Sequence, residues 1–224
     1  MARTARASKG GFLYHVLNRG NGRSDVFHKD GDFLAFVNLM QDAQDRMPMR
    51  VLGYCLMTNH FHLILWPHND GDLSRWMQWL MTSHVRRYHR HYGGSGHVWQ
   101  GRFKAFPIQN DEHYLTVLRY VERNPLRGGI TKRSQDWEWS SLRPTRRSGP
   151  QGLLTDGPVP KGPQWTRFVN AVETEAELAA LRHSLGRGTP FGDRDWQFAT
   201  AESLGLQSSL RPRGRPRKSP PNGK

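Results

Sequence analysis

Two apolar runs, Arg50 to Met57 and His60 to Trp66, meet at Thr58-Asn59, and this juxtaposition constrains the fold more than any other stretch. Each run is short, rich in branched and aromatic residues, and separated from the other by a two-residue turn, which predicts an antiparallel hairpin. In Asn59-His60-Phe61-His62-Leu63-Ile64-Leu65-Trp66, alternate side chains of an extended strand face opposite ways. His60 and His62 then share one face, about 7 Å apart along the chain. Phe61, Leu63 and Leu65 turn to the other face, into a core. The hairpin sets both histidines at the start of a central strand, near a sheet end that a ligand can reach. Two co-facial imidazoles can seat a divalent metal or a phosphate. Histidines two apart are common, however, and this pair becomes informative only with a partner elsewhere.

The remaining elements alternate around that hairpin. Phe12 to Asn18 has strand composition, and the following loop, Arg19-Gly20-Asn21-Gly22-Arg23, is equally consistent with a phosphate-approaching turn and a solvated one. Phe33, Phe36, Val37, Met40 and Ala43 recur at helical spacing between Asp32 and Gln44. Asp72 is placed to cap a helix to Tyr92, with Leu73, Trp76, Met77, Leu80, His84 and Tyr88 as its stripe. Its Arg75, Arg86, Arg87 and Arg90 form either a solvated face or a phosphate-contacting one. Residues 97–100 and 103–108 are expected to be extended. Asn110 or Asp111 caps a last helix that ends where Asn124 precedes Pro125. This order predicts an α+β sandwich with one mainly antiparallel sheet and helices packed on it.

Charge narrows the partner. The chain of 224 residues carries 33 Lys+Arg against 19 Asp+Glu, a formal charge of +14. Nucleic acid is the first candidate for such an excess, and a membrane surface the competing one. No apolar run is long enough to span a bilayer, and Met1 to Gly10 lacks a signal-peptide core. The single cysteine, Cys55, excludes an intramolecular disulfide and fits a reduced, cytoplasmic setting, and a DNA partner would make it nucleoid-associated.

The partner for the histidines is sought on the last helix. Tyr114, Leu115 and Leu118 define its core side, so Tyr120 is expected on the opposite face, with Asn124 one turn on. A tyrosyl oxygen attacks phosphorus only with metal or cationic help near neutral pH, because its ordinary pKa is about 10.

Met57-Thr58-Asn59 before His60-Phe61-His62, with Tyr120-Val121-Glu122-Arg123-Asn124-Pro125 downstream, resembles the single-tyrosine HUH transposases, and within them the REP-associated tyrosine transposases. Supporting stretches are Tyr14-His15-Val16, Arg19-Gly20-Asn21, Trp99-Gln100-Gly101-Arg102-Phe103 and Asn124-Pro125-Leu126-Arg127-Gly128-Gly129. The resemblance implies the HUH fold, a ferredoxin-like or RRM-like α+β arrangement. It implies Tyr120 as nucleophile and Mg²⁺ or Mn²⁺ held by His60, His62 and Asn124. It also implies cleavage and rejoining of single-stranded or hairpin DNA through a 5′-phosphotyrosine, with Arg19, Asn21, Arg23, Arg86, Arg87, Arg102 and Lys104 on the DNA. Active insertion-sequence relatives commonly carry Gln where Asn124 stands, which makes this residue the departure from pattern. Monomer and homodimer both remain open. The alternative is a non-catalytic hairpin-binding regulator that has kept the fold. A zinc hydrolase is a third reading, for which His97 and His113 are available but lack motif spacing.

The resemblance covers a transposase-like domain at 10–140, and composition sets off a basic arm (1–9), a Pro/Gly-rich linker (141–172), a short helical extension (173–206) and a basic tail (207–224). Thr174 and Glu177 form a capping box for the extension's helix. In the tail, Arg213-Gly214-Arg215-Pro216-Arg217 resembles an AT-hook, suited to the minor groove of A·T-rich duplex.

Overall fold

The computed structural model describes residues 8–142 and 152–211. Four strands, β1 (Leu13–Arg19), β2 (Met49–Met57), β3 (His60–Pro67) and β4 (Lys104–Ile108), form one antiparallel sheet in the order β2-β3-β1-β4. The expected hairpin is present: Met57 pairs with His60 across Thr58-Asn59, and β3 is central.

β3 is apolar on both faces because both are covered. Tyr14, Val16, Phe61, Leu63 and Leu65 share a core with α1 (Asp30–Arg46) and α2 (Asp72–Tyr92). On the other face, Leu13, Ile64, Phe106 and Ile108 pack with α3 (Glu112–Glu122), α5 (Trp165–Asn170) and α6 (Glu175–Arg187). The short helix α4 (Asn124–Arg127) follows α3 after Arg123, with Pro125 in its first turn, where a missing N–H is harmless. Two helices, α7 (Arg194–Ser203) and α8 (Gln207–Leu210), complete the described chain.

Some local expectations are corrected. The cap of α2 is Gly71, at φ 84°, and Asp72 instead accepts from the Asn69 amide and pairs with Arg75. Residues 97–100 form a loop with one bridge, Trp99 to Gly20, rather than a strand, since β1 ends at Arg19. Tyr120 does not lie on a non-core face: it is 9% exposed, because the extension covers the side of α3 that the sheet leaves open.

Within 141–172, the described residues pack on the sheet. Thr155 donates its amide to the Val51 carbonyl, while Leu153 and Trp165 are buried. Leu56 and Ser141 hydrogen-bond Trp139 and Tyr54 along the same β2 edge, and Phe191 exchanges backbone bonds with Pro107 and Gln109 on the β4 edge. Later chain thus covers both edges, removing a template for unwanted strand pairing. The arm residues 1–7 and the AT-hook-like residues Arg213 to Arg217 lie outside the described residues.

Candidate active site

Strand register assembles the centre. Leu17 stands opposite His62 on one side and Lys104 on the other, while Arg19 stands opposite His60. His15, two residues before Leu17, reaches His62 along the diagonal that neighbouring strands allow. Because 15, 60 and 62 share a face, all three imidazoles turn toward α3. There the Tyr120 ring meets His62 edge-on, with centroids 5.9 Å apart.

Arg19, His60, His62, Arg102, Lys104, Tyr120, Asn124 and Arg182 line one cavity of about 540 Å³. Among the described residues, its wall contains four cationic side chains and no carboxylate. Arg86 and Arg87 are elsewhere, bordering a separate hollow on the α2 side with Arg90 and His91. Asn21 and Arg23 form a 3₁₀ turn beside the cavity without lining it.

The hydrogen bonds decide which ring nitrogens face inward. Asn59 Nδ2 donates to the Arg23 carbonyl at 3.1 Å, so its Oδ1 is the end that meets His60 Nδ1 at 2.6 Å. An amide oxygen only accepts, and His60 Nδ1 therefore carries the proton, leaving a lone pair on Nε2. Asn124 lines the cavity beside the same ring. His62 Nδ1 is engaged by His15 Nε2 at 2.8 Å, with the two rings stacked at 11°. His62 Nε2 is thereby turned toward the cavity, and it offers a lone pair in the tautomer in which Nδ1 donates to His15. His15 is fully buried, and its Nδ1 has no partner.

Burial holds these rings neutral. His15 is lowered to about 3 by desolvation and the Arg127 charge, and His60 to about 4 by desolvation and Arg19. His62 is lowered well below the ordinary value by desolvation and by both neighbouring histidines. Tyr120 is raised by burial, while the charges of Arg127, Arg182 and Arg19 oppose that rise. Arg127 lies 3.8 Å over the Tyr120 ring, with its N–H groups committed to the Tyr120 carbonyl and Glu173.

Two neutral imidazoles and one amide are a donor set that a divalent cation accepts if a phosphate oxygen completes its shell. Among the described residues, no group of three or more His, Cys, Asp or Glu could hold a metal by itself. This disfavours the zinc-hydrolase arrangement.

Stability should track these histidines. His15 at about 3, His60 at about 4 and the buried His84 at about 4 all lie below the unfolded value near 6.5, so the unfolded chain takes up protons first as pH falls. Their contribution is complete above pH 6.5 and is lost between there and pH 3–4. A urea-midpoint series should fall steadily from pH 6.5 to 4; a flat series would contradict neutral burial.

The profile of the family described as Transposase IS200 like matches residues 8–124, just over half of the chain. The chain belongs to this IS200-like transposase family. Its relatives include the REP-associated tyrosine transposase of Escherichia coli K12, 28% identical over 137 residues that cover 60% of this chain and 78% of that protein. A similarly named protein of Haemophilus influenzae is 27% identical over 118 residues, 48% of this chain and 66% of the other. A solved REP-associated tyrosine transposase bound to a REP hairpin superposes with a TM-score of 0.52 at 24% identity, covering 63% of this chain and 83% of that one. The α+β fold is shared with that structure.

The transposase site contains residues that sequence motifs alone leave without a role. His15 and Asn59 orient the histidines, Arg127 covers Tyr120, and Arg182 arrives from outside the matched segment. His15 is visible as a residue of strand β1 on the histidine face once the register is known. Nothing in the sequence around Arg182 marks it. No helix among the described residues is long and apolar enough to cross a membrane.

Proposed function

We propose that this IS200-like transposase cleaves and rejoins single-stranded or hairpin DNA of the REP type through a covalent 5′-phosphotyrosine at Tyr120. The observation that carries this reading is the composition of the cavity: among the described residues that line it are one phenol, two neutral imidazoles, three amides (Asn18, Gln100 and Asn124) and four cations, without a carboxylate. Such a lining favours an anionic substrate such as a phosphodiester and disfavours a cationic one.

Arg19, Arg102 and Lys104 draw the backbone in and hold the scissile phosphate against the imidazoles. Tyr120 loses its proton as its oxygen bonds to phosphorus. The bond from phosphorus to the 3′ oxygen breaks, and that oxygen leaves as a hydroxyl after taking up a proton. Attack by a second 3′-hydroxyl reverses the step and returns the proton to Tyr120, so rejoining needs no nucleotide cofactor. His60 and His62 through Nε2, with Asn124, would hold Mg²⁺ or Mn²⁺. When bound, the ion would polarise the phosphoryl group and stabilise its developing charge. The nitrogens facing the cavity support that assignment, because both Nδ1 atoms already have partners.

The test is incubation of the protein with labelled hairpin oligonucleotides from the flanks of its own gene, in Mg²⁺ or Mn²⁺. A denaturation-resistant protein–DNA adduct that disappears with a chelator supports the reading. Tight binding across the panel without any adduct would instead make the chain a hairpin-binding regulator.

A further inference from the structure

The IS200-like match ends at residue 124, yet the cavity does not close there. Arg182, Leu185 and Gly186 of α6 form part of its wall, so a segment beyond the matched region faces Tyr120 and the histidines. We propose that α6 is an integral part of the active site and that Arg182 is a catalytic residue, contacting the non-bridging oxygens of the scissile phosphate as Tyr120 attacks. This rests on the reading of Tyr120 as nucleophile.

The position of α6 is fixed by α3, the residue that follows it and α4. Arg119, Arg123 and Arg127 recur every four residues, and each reaches across to the chain that leads into α6. Arg119 donates to the carbonyls of Ala171 and Val172 at 2.8 and 3.0 Å. Arg123 donates to those of Val169 and Asn170 at 3.0 and 2.6 Å, and Arg127 pairs with buried Glu173 at 2.8 Å. Thr174 and Glu177 then start the helix with a reciprocal cap, and Leu178 and Leu181 bury into the core that contains Tyr120. Beyond its end, Phe191 is tied to the β4 edge. An element held on both sides and packed through its own stripe is a wall, not a loosely attached tail.

Arg182 differs in kind from the three arginines of that ladder. Each of them bonds carbonyls or carboxylates, and Arg127, although stacked on the Tyr120 ring, donates to the Tyr120 carbonyl and Glu173. Arg182 is exposed at the cavity and has no ion pair among the described residues. Its charge acts on Tyr120 in the direction that favours the phenolate. A planar fork of free donors beside a buried nucleophile suits the two non-bridging oxygens of a phosphodiester, whose charge grows as the Tyr120 oxygen bonds to phosphorus and the 3′ oxygen departs.

The experiment uses the full chain and compares wild type with Arg182→Gln and Arg182→Lys. Single-turnover adduct formation on the labelled hairpin is measured beside the salt dependence of equilibrium binding to a single-stranded oligonucleotide. Arg182→Gln is expected to slow adduct formation by about 10²–10³-fold, the range for removing one preorganised donor to a developing oxyanion. It should also reduce the salt slope by about 0.7, the value for one lost phosphate contact on a single strand. Arg182→Lys should restore the slope and part of the rate, with an unchanged thermal midpoint in both variants. Wild-type rates and slope in Arg182→Gln would overturn the proposal, and a faster rate would show α6 to be an obstructing lid. If wild type forms no adduct, the nucleophile assignment fails, while an unchanged slope in Arg182→Gln separately rejects the phosphate contact.

Discussion

Tyr120→Phe is expected to abolish covalent attachment to DNA while leaving the protein folded and able to bind. The phenyl ring keeps the contacts with His62, His15 and the Arg127 guanidinium, which involve the ring rather than the oxygen. Arg19, Arg102, Lys104 and Arg182 still line the cavity, so affinity and its salt dependence should barely change. What is lost is the only phenol in the cavity lining, and with it the atom that bonds to phosphorus. Deleting the nucleophile of a covalent mechanism costs on the order of 10⁴-fold or more, which in a gel assay reads as no adduct. An adduct that persists in Tyr120→Phe would move the nucleophile elsewhere. A variant that also stops binding would mean that the hydroxyl serves recognition.

Glu122→Ala should be the most damaging substitution for stability. Glu122 is fully buried at the end of α3 and accepts three hydrogen bonds: from Trp165 Nε1 at 2.6 Å, Ser141 Oγ at 2.9 Å and Lys161 Nζ at 3.2 Å. Through them it joins α3 to the chain along β2 and to α5. Alanine strands the Trp165 and Ser141 donors in the core, and each unsatisfied buried group costs about 1–3 kcal/mol. Lys161 is partly exposed and can turn to solvent, so its bond adds little. The expected loss is roughly 2–5 kcal/mol, a large fraction of the about 5–15 kcal/mol that holds a domain together. Chemical denaturation measures it. Glu122→Gln keeps an acceptor for the indole and should lose much less; equal losses in the two variants would mean that the carboxylate's charge, not its hydrogen bonds, matters.

The hairpin, the central position of β3 and the facing of His60 and His62 follow from local pattern. A two-residue turn between apolar runs leaves little freedom in register, and period-two alternation assigns the faces. Helices α1 and α2 are similarly legible from their 3.6-residue stripes. Tyr120 shows where such reasoning stops. Its angular position on α3 opposes Leu118, which reads as solvent-facing if a helix has only one covered side. The second cover comes from residues 165–187, brought back by Arg119 and Arg123 through bonds to backbone carbonyls and by Arg127 through the Glu173 carboxylate. Backbone acceptors leave no compositional trace, so a Pro/Gly-rich stretch that reads as linker can contain a docked helix.

The sequence by itself determined the strand-turn-strand unit, the shared face of its two histidines, the excess of positive charge, and the motif pair around His60-Phe61-His62 and Tyr120 to Asn124. Each is encoded over a few neighbouring residues, where turn chemistry and side-chain period act directly. Only the tertiary structure decided that His15 and Asn59 engage the Nδ1 atoms of those histidines, that Arg127 covers Tyr120, and that Arg182 closes the wall. His15 and His62 are 47 positions apart, Asn59 is turned by a bond to Arg23 36 positions away, and Arg182 comes from a later helix; strand register and docking bring them together, and these depend on how both faces of the sheet are covered.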